Sequence, residues 1–303
     1  MDVVSYLLGK QAGGGGGGGD TPTKGIILSE WDEDGYPTRA SIVGFTTIPD
    51  YYLQNNSNGT FLKNVSTITL PNNITSIGWY GFQYMPITQI SLPNTLTVIK
   101  QGAFSYCSQL TAITLPNSVT TLGADCFRSC TELQSVVWST NAGNIPTNCF
   151  VSCYKLETIN LDTVNTISSY AFQACSKLIV TKTSATSIGD NSFNNCYAIK
   201  KICLPDLVSI AGNQSNNGSF RSCLYLKQVW VGANVSNNGL GRYGFNSCSA
   251  LEKIYINLPR ATVEGMTGYS YAFMNDQSKT GIIVCNDDEG FITEAQFDAL
   301  VIN

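Results

Sequence analysis

The 303-residue sequence predicts a solenoid of about ten short coils with a parallel β-sheet along one face, and three observations predict it. A phenylalanine recurs at positions Phe61, Phe82, Phe104, Phe127, Phe150, Phe172, Phe193, Phe220, Phe245 and Phe273, at spacings of 21, 22, 23, 23, 22, 21, 27, 25 and 28 residues. Three residues after it stands Met85, then a cysteine in each unit: Cys107, Cys130, Cys153, Cys175, Cys196, Cys223 and Cys248. Three further on comes an aliphatic residue, such as Leu110 or Leu156, and then apolar residues two apart, as in Ile113/Leu115 and Ile254/Ile256. Such a unit supplies about five inward side chains and cannot bury them alone. Units must stack like on like at the strand spacing of about 4.8 Å, giving a rod of roughly 45–50 Å.

Residues 1–20 lie outside the repeat. Val3, Val4, Tyr6, Leu7 and Leu8 crowd an apolar patch between Asp2 and Lys10. The charges suit a helix of about two turns, and a helix that short is marginal in water without a partner. Gly13–Gly19 follow as a tether with no preferred conformation. Together they form either an anchor docked into a larger assembly or a plain tail.

Residues 21–55 read as an N-terminal β cap. GIILSEW (Gly25–Trp31) and RASIVGF (Arg39–Phe45) are strand-like, and Asp32-Glu33-Asp34-Gly35-Tyr36-Pro37 between them is rich in turn formers. The acidic cluster lacks the spacing of a calcium loop.

Residues 56–280 form the solenoid. Pro71, Pro93, Pro116, Pro205 and Pro259 close strands because proline has no N–H for a ladder. A second apolar pair follows, as in Leu96/Ile99 and Val119/Leu122, and Gly78, Gly123 or Gly189 turns the chain toward the next phenylalanine. Short turns or helical segments are expected opposite the sheet. The Phe172 unit departs from the pattern, with Thr181 and Thr183 where Ile and Leu belong. Residues 281–303 carry Phe291, Ile292, Phe297, Leu300 and Val301 at near-helical spacing and are expected to cap the last coil.

The unit Leu110-to-Cys130, LTAITLPNSVTTLGADCFRSC, resembles the BspA-like subclass of leucine-rich repeats almost position by position. The resemblance covers about residues 56–280 and implies a leucine-rich-repeat solenoid, a role in adhesion or protein recognition, and no enzymatic activity. The opening YLLGKQAGGGGGGG resembles the start of virion-associated proteins from phages and prophages of Gram-positive gut bacteria. That implies a tail, baseplate or head-fibre component whose partners, reached through residues 1–12, are other virion proteins, with the chain a homo-oligomer within the assembly.

Composition excludes several functions. Histidine is absent, which removes the commonest general base and metal ligand. The net charge is -4 and no basic run tracks a phosphate backbone, so nucleic acid is not an expected partner. No apolar run approaches the roughly 20 residues a membrane helix needs, and no secretory signal is visible. The 21 acidic residues share no repeat position that would pair two carboxylates across a groove, as a glycan hydrolase requires. No C-x-x-C pair occurs among the 11 cysteines, and stacked side chains point in parallel, which disfavours disulfides between coils. The cysteine column therefore reads as buried thiols in a reducing compartment. No cofactor and no metal are expected.

The residues between the inward strand positions face outward: Thr69, Ser91, Thr114, Val137 and Asn160, then Cys203, Trp230 and Tyr255. Lys201, Gln228 and Lys253 share the face two residues earlier. Trp230 and Tyr255 either form an exposed aromatic pair for a bacterial surface glycan or protein, or lie under the C-terminal loops. The leading expectation is a virion component, assembled in the host cytoplasm, that presents the solenoid to a bacterial surface. The alternatives are a bacterial cell-surface adhesin and, more remotely, a glycan-acting enzyme.

Overall fold

A computed structural model describes residues 25–53, 62–211, 218–237, 239–266, 272 and 282–302. The proposed anchor residues Val3, Val4, Tyr6, Leu7 and Leu8, and the phenylalanines at 61 and 273, lie outside the described residues.

The chain opens with an antiparallel hairpin, Gly25–Trp31 against Pro37–Val43. Asp32 makes the turn: its Oδ1 accepts from the amides of Asp34 (3.1 Å) and Tyr36 (2.8 Å). The amide of Tyr36 and the side chain of Asn64 hold its carboxyl below the usual aspartate range. The acidic cluster is thus an Asx-type turn. Pro37–Val43 pairs in parallel with Thr67–Thr69, so the hairpin is the first rung of the stack.

Each coil then runs through three sides. The first is a short strand in the column that contains Thr67–Thr69, Gln89–Ile90, Ala112–Thr114, Ser135–Val137 and Thr158–Ile159, and later Lys201–Leu204, Gln228–Val231, Lys253–Ile256 and Ile283–Cys285. The second is a two-residue strand, in a column from Thr47–Ile48 through Ser76–Ile77 and Val98–Ile99 to Thr121–Leu122, and from Asn144–Ile145 to Ser209–Ile210. The second apolar pair of the sequence pattern therefore builds a second parallel ladder.

The third side is a run of turns around the phenylalanine, and its described residues contain no α-helix. Its amides alternate in direction. Asp125, Phe127 and Ser129 donate to the carbonyls of Thr147, Cys149 and Val151 in the next coil at 2.8–3.0 Å. Arg128 and Cys130, between and after them, close turns onto Asp125 and Phe127. The alternation needs left-handed backbone on either side of the phenylalanine, at Asp125 (φ 59°) and Ser129 (φ 58°) here and at equivalent positions such as Asn148 and Ser152. Asn, Asp, Ser and Gly recur there, and Tyr also occupies several of these sites. Gly123 answers a different need: a Cβ on it would lie 2.3 Å from the backbone nitrogen of Gln101, so only glycine lets the two coils approach.

The interior repeats from coil to coil. Eight phenylalanines from Phe82 to Phe245 are buried and stack in one column, with centroids 5.0–5.5 Å apart and ring planes within 15°. Trp138, at an inward position, meets Phe150 edge-on at 5.9 Å, and its indole N–H donates to Ala142 O at 2.8 Å. In the Phe172 unit Val180 and Thr183 are buried while Thr181 is exposed. The strand is reduced there to a single bridge, Lys182 to Cys203, and the first sheet is interrupted.

The C-terminal segment corrects one expectation. Ile283–Cys285 adds a last rung beside Lys253–Ile256, and the chain then turns back. The helix Glu294–Ala299, begun by a Thr293/Gln296 capping box, lies over the outer face of the first sheet instead of plugging the end of the stack. Its apolar side chains meet apolar ones on that face.

Candidate recognition surface

The strands Lys201–Leu204, Gln228–Val231 and Lys253–Ile256 pair residue for residue, which aligns Lys201, Gln228 and Lys253 in one column and Cys203, Trp230 and Tyr255 in the next. The alignment expected from the sequence is present, but the exposed hot spot is not. Trp230 is 4% exposed and Tyr255 5%. Phe291, Ile292, Phe297 and Leu300 pack over them. The indole of Trp230 donates to Ile292 O at 3.0 Å, and the rings of Tyr255 and Phe297 meet at 70° with centroids 6.1 Å apart.

The lysines of this face fasten the strap. Lys201 Nζ donates to the carbonyls of Phe297, Asp298 and Leu300 at 2.8–2.9 Å, and so satisfies groups a helix end leaves open. Lys182 pairs with Glu294 at 2.7 Å and Asp298 at 3.1 Å. Lys253 Nζ stands 6.0 Å from the Tyr255 ring centroid, and Gln228 lies beside it in the ladder. The aromatic column and its lysines are thus the seat of the C-terminal helix.

The cysteine column has a role that its spacing did not reveal. Each thiol donates to the carbonyl of the phenylalanine one coil earlier: Cys107 to Phe82, Cys130 to Phe104, Cys153 to Phe127, Cys175 to Phe150, Cys196 to Phe172, Cys223 to Phe193 and Cys248 to Phe220, at 2.9–3.2 Å. A small apolar side chain with one weak donor fits that place. All eleven cysteines are buried and free. Burial pushes the thiols of Cys126, Cys153 and Cys203 up to about 12 and that of Cys285 to about 11, so none is a thiolate nucleophile at neutral pH. Cys153→Ala is expected to cost about 1–2 kcal/mol, from the lost hydrogen bond and the small void together. Chemical denaturation would measure it. A cost indistinguishable from zero would reduce the column to filler.

Two regions of the outer surface are open. Over residues 67–116 the first sheet carries no strap, and Thr67, Thr69, Gln89, Ser91 and Thr114 floor a shallow polar groove of about 650 Å³. On the turn side of the first coils stands an aromatic ridge: Tyr51, Trp79 and Tyr84 are 49%, 50% and 42% exposed. Tyr51 stacks on Tyr80 at 5.3 Å and Tyr84 on Tyr106 at 4.7 Å. Lys100 stands over Trp79 and pairs with Asp50 at 3.3 Å. The turn residues among these rings fell outside the strand-based search for a face. Tyrosines at positions two before and two after the phenylalanine were the available signal.

Among the described residues no cluster of three or more His, Cys, Asp or Glu side chains could hold a metal ion, and no helix is long and apolar enough to cross a membrane.

The BspA type leucine rich repeat region matches in six copies over residues 46–179 and 165–291. The chain belongs to this family. A comparison with curated protein sequences finds no match. Solved structures similar to this BspA-type chain include a leucine rich repeat protein of T. pallidum, 22% identical, covering 60% of this chain and 91% of that one with a TM-score of 0.47. The pneumococcal vaccine antigen PcpA is 18% identical, covering 76% of this chain and 65% of its own length with a TM-score of 0.44. A leucine rich cell surface protein of Faecalibacterium prausnitzii is 18% identical, covering 85% and 99% with a TM-score of 0.32.

Proposed function

We propose that this BspA-type protein is a non-enzymatic recognition protein whose outer surface contacts a bacterial glycan or protein. The observation that carries the reading is the aromatic ridge of Tyr51, Trp79 and Tyr84. Aromatic rings grouped half in solvent offer a partner apolar area at little entropic cost, and such rings dominate binding energy at interfaces. Replacing all three by serine should leave the fold intact, because none belongs to the buried columns. It should also lower binding of the labelled protein to host-range bacterial cells by about tenfold or more, the loss of one strong contact. Unchanged binding would remove the ridge from the recognition surface.

The finer reading is a virion component, docked through residues 1–12 into other virion proteins and carried as a homo-oligomer within the particle. What supports it is the apolar segment Val3–Leu8 followed by Gly13–Gly19, and its resemblance to virion-protein openings. Deletion of residues 1–19 should leave the solenoid folded and abolish incorporation into the parent particle, read by mass spectrometry of purified particles. Incorporation at normal levels would sink the anchor. The family match supports a second reading, an adhesin on the bacterial cell surface, in which the same deletion changes no particle and the protein fractionates with cell envelopes.

A further inference from the structure

The two ends of the first sheet are finished differently. At the C-terminal end the last rung, Ile283–Cys285, is only three residues long, and side chains take two of its backbone groups. Arg260 Nη2 donates to Ile283 O at 3.0 Å, the amide of Cys285 donates to Asp288 Oδ2 at 2.6 Å, and Arg260 pairs with Asp288. A short rung guarded by charged side chains is a closed edge. At the N-terminal end stands Gly25–Trp31, which pairs with Pro37–Val43 on one side only. Pro37–Val43 begins the first coil, whose second side, Thr47–Ile48, is the first rung of the second ladder. Gly25–Trp31 therefore overhangs the stack by one rung. Half of its N–H and C=O groups face away from Pro37–Val43 by strand geometry. Among the described residues nothing bonds to that side of Gly25–Ser29.

This edge carries none of the usual guards. Gly25, Ile26, Ile27, Leu28 and Ser29 include no charge and no proline. Glu30 sets the usable length, because its φ of 54° takes the strand out of extended form. The pairing with Pro37–Val43 fixes the faces. Ile26 stands opposite Ile42 and Leu28 opposite Ala40, both buried, so Ile26 and Leu28 point to the interior. Ile27 and Ser29, opposite Ser41 and Arg39, point outward. Ile26 is buried and Leu28 packs against the core, while Ile27 is only partly covered.

We propose that Gly25–Ser29 pairs antiparallel with the same strand of a second copy of this chain, about a two-fold axis at Ile27. Identical strands related by a two-fold place one residue opposite itself, and centring on Ile27 is the register that uses all five residues. Ile27 then meets Ile27, Ile26 meets the partner's Leu28, and Gly25 meets the partner's Ser29. On the interior face Ile26 and Leu28 continue the core across the junction. Every cross-strand pair is neutral, and the central three are apolar. The charges agree with this register. The acidic turns Asp32–Asp34 of the two copies lie at opposite ends of the junction, roughly 30 Å apart at about 3.3 Å per residue, well beyond the screening length. The guarded C-terminal rung offers no matching edge for a head-to-tail chain, so the pairing closes at two copies. The contact deepens the homo-oligomer of the reading above and rests on that reading for its place in a particle.

Sedimentation of the full chain over about 1–300 µM, the range of small transient interfaces, should show monomer passing to dimer. Ile27→Lys and Ile27→Glu each set like charges face to face, and each should raise the dissociation constant at least about tenfold. Mixed in equal amounts, the two variants should recover the dimer, because opposite charges then meet. Ile27 lies outside the buried core, so the circular dichroism of either variant should match that of the parent. Deleting residues 1–19 should leave the dimer in place; its loss would make the N-terminal segment the strand that fills the edge and overturn the proposal. A chain that stays monomeric, single variants that dimerise as before, or a mixture that stays monomeric would each overturn it too. The two readings fail separately. A chain that dimerises in solution but enters no particle loses the particle reading alone, and one that enters particles but is monomeric in solution loses only this inference.

Discussion

Phe150→Ala is expected to lower folding stability by about 3–5 kcal/mol, the range for emptying a buried aromatic site. Phe150 is fully buried between Phe127 at 5.4 Å and Phe172 at 5.3 Å, with the edge of Trp138 at 5.9 Å. A compact core can collapse partly into such a void. Here collapse is opposed, because the coils above and below are held apart by the ladders, whose spacing is about 4.8 Å whatever the side chain. Phe150→Leu, which keeps most of the volume, should cost less, about 1–1.5 kcal/mol. Urea denaturation followed by Trp138 fluorescence and by circular dichroism measures both. Coils touch only their neighbours, so a weakened coil also separates the array into halves, and the alanine variant is expected to unfold in two steps. A single transition with a loss below about 1 kcal/mol would show that the stack is not the axis of stability.

Ending the chain at Gly290 is expected to have the second large effect. The removed residues include Phe291, Ile292, Phe297 and Leu300, which cover Trp230, Tyr255 and Cys203. Each uncovered ring forfeits about 1.5–3 kcal/mol of burial. The truncated protein should show red-shifted tryptophan emission and concentration-dependent association through the bared face. Burial, helped by Asp298 and Glu294, is what pushes the Cys203 thiol up to about 12. Truncation removes all three causes, and the thiol should fall toward its ordinary range. The native full chain should therefore resist maleimide at all eleven cysteines, and the truncated chain should react at Cys203 first. Full protection of Cys203 in the truncated chain would mean that the strap does not cover this face in solution.

Much of the fold was legible because a solenoid writes its interior as repeated letters. The phenylalanine, cysteine and aliphatic columns follow from spacing alone, and Trp138 fell at the inward position its strand assigns. The second ladder was hidden because a two-residue strand such as Val98–Ile99 is too short to show alternation. The thiol-to-carbonyl bonds were hidden because the acceptor is backbone, which carries no sequence signal. Trp230 and Tyr255 show a different limit. Strand periodicity says which face a side chain takes, but not which distant segment lies on that face. The clue was joint: an aromatic outer column occurs only near the C-terminal coils, and Phe291, Ile292, Phe297 and Leu300 supply a matching apolar surface.

The turn side has an electrical consequence. In the coils from Tyr80 through Ala174 three amides each, such as those of Asp125, Phe127 and Ser129, donate toward the next coil, and those of Phe193, Asn195, Phe220 and Ser222 continue in the same direction. Their peptide dipoles add along the rod as they do along a helix axis, with the donor end toward the C-terminus. The two ends of this edge are therefore unlike in polarity, and a coil gained or lost by recombination would change the length of the dipole while preserving its direction.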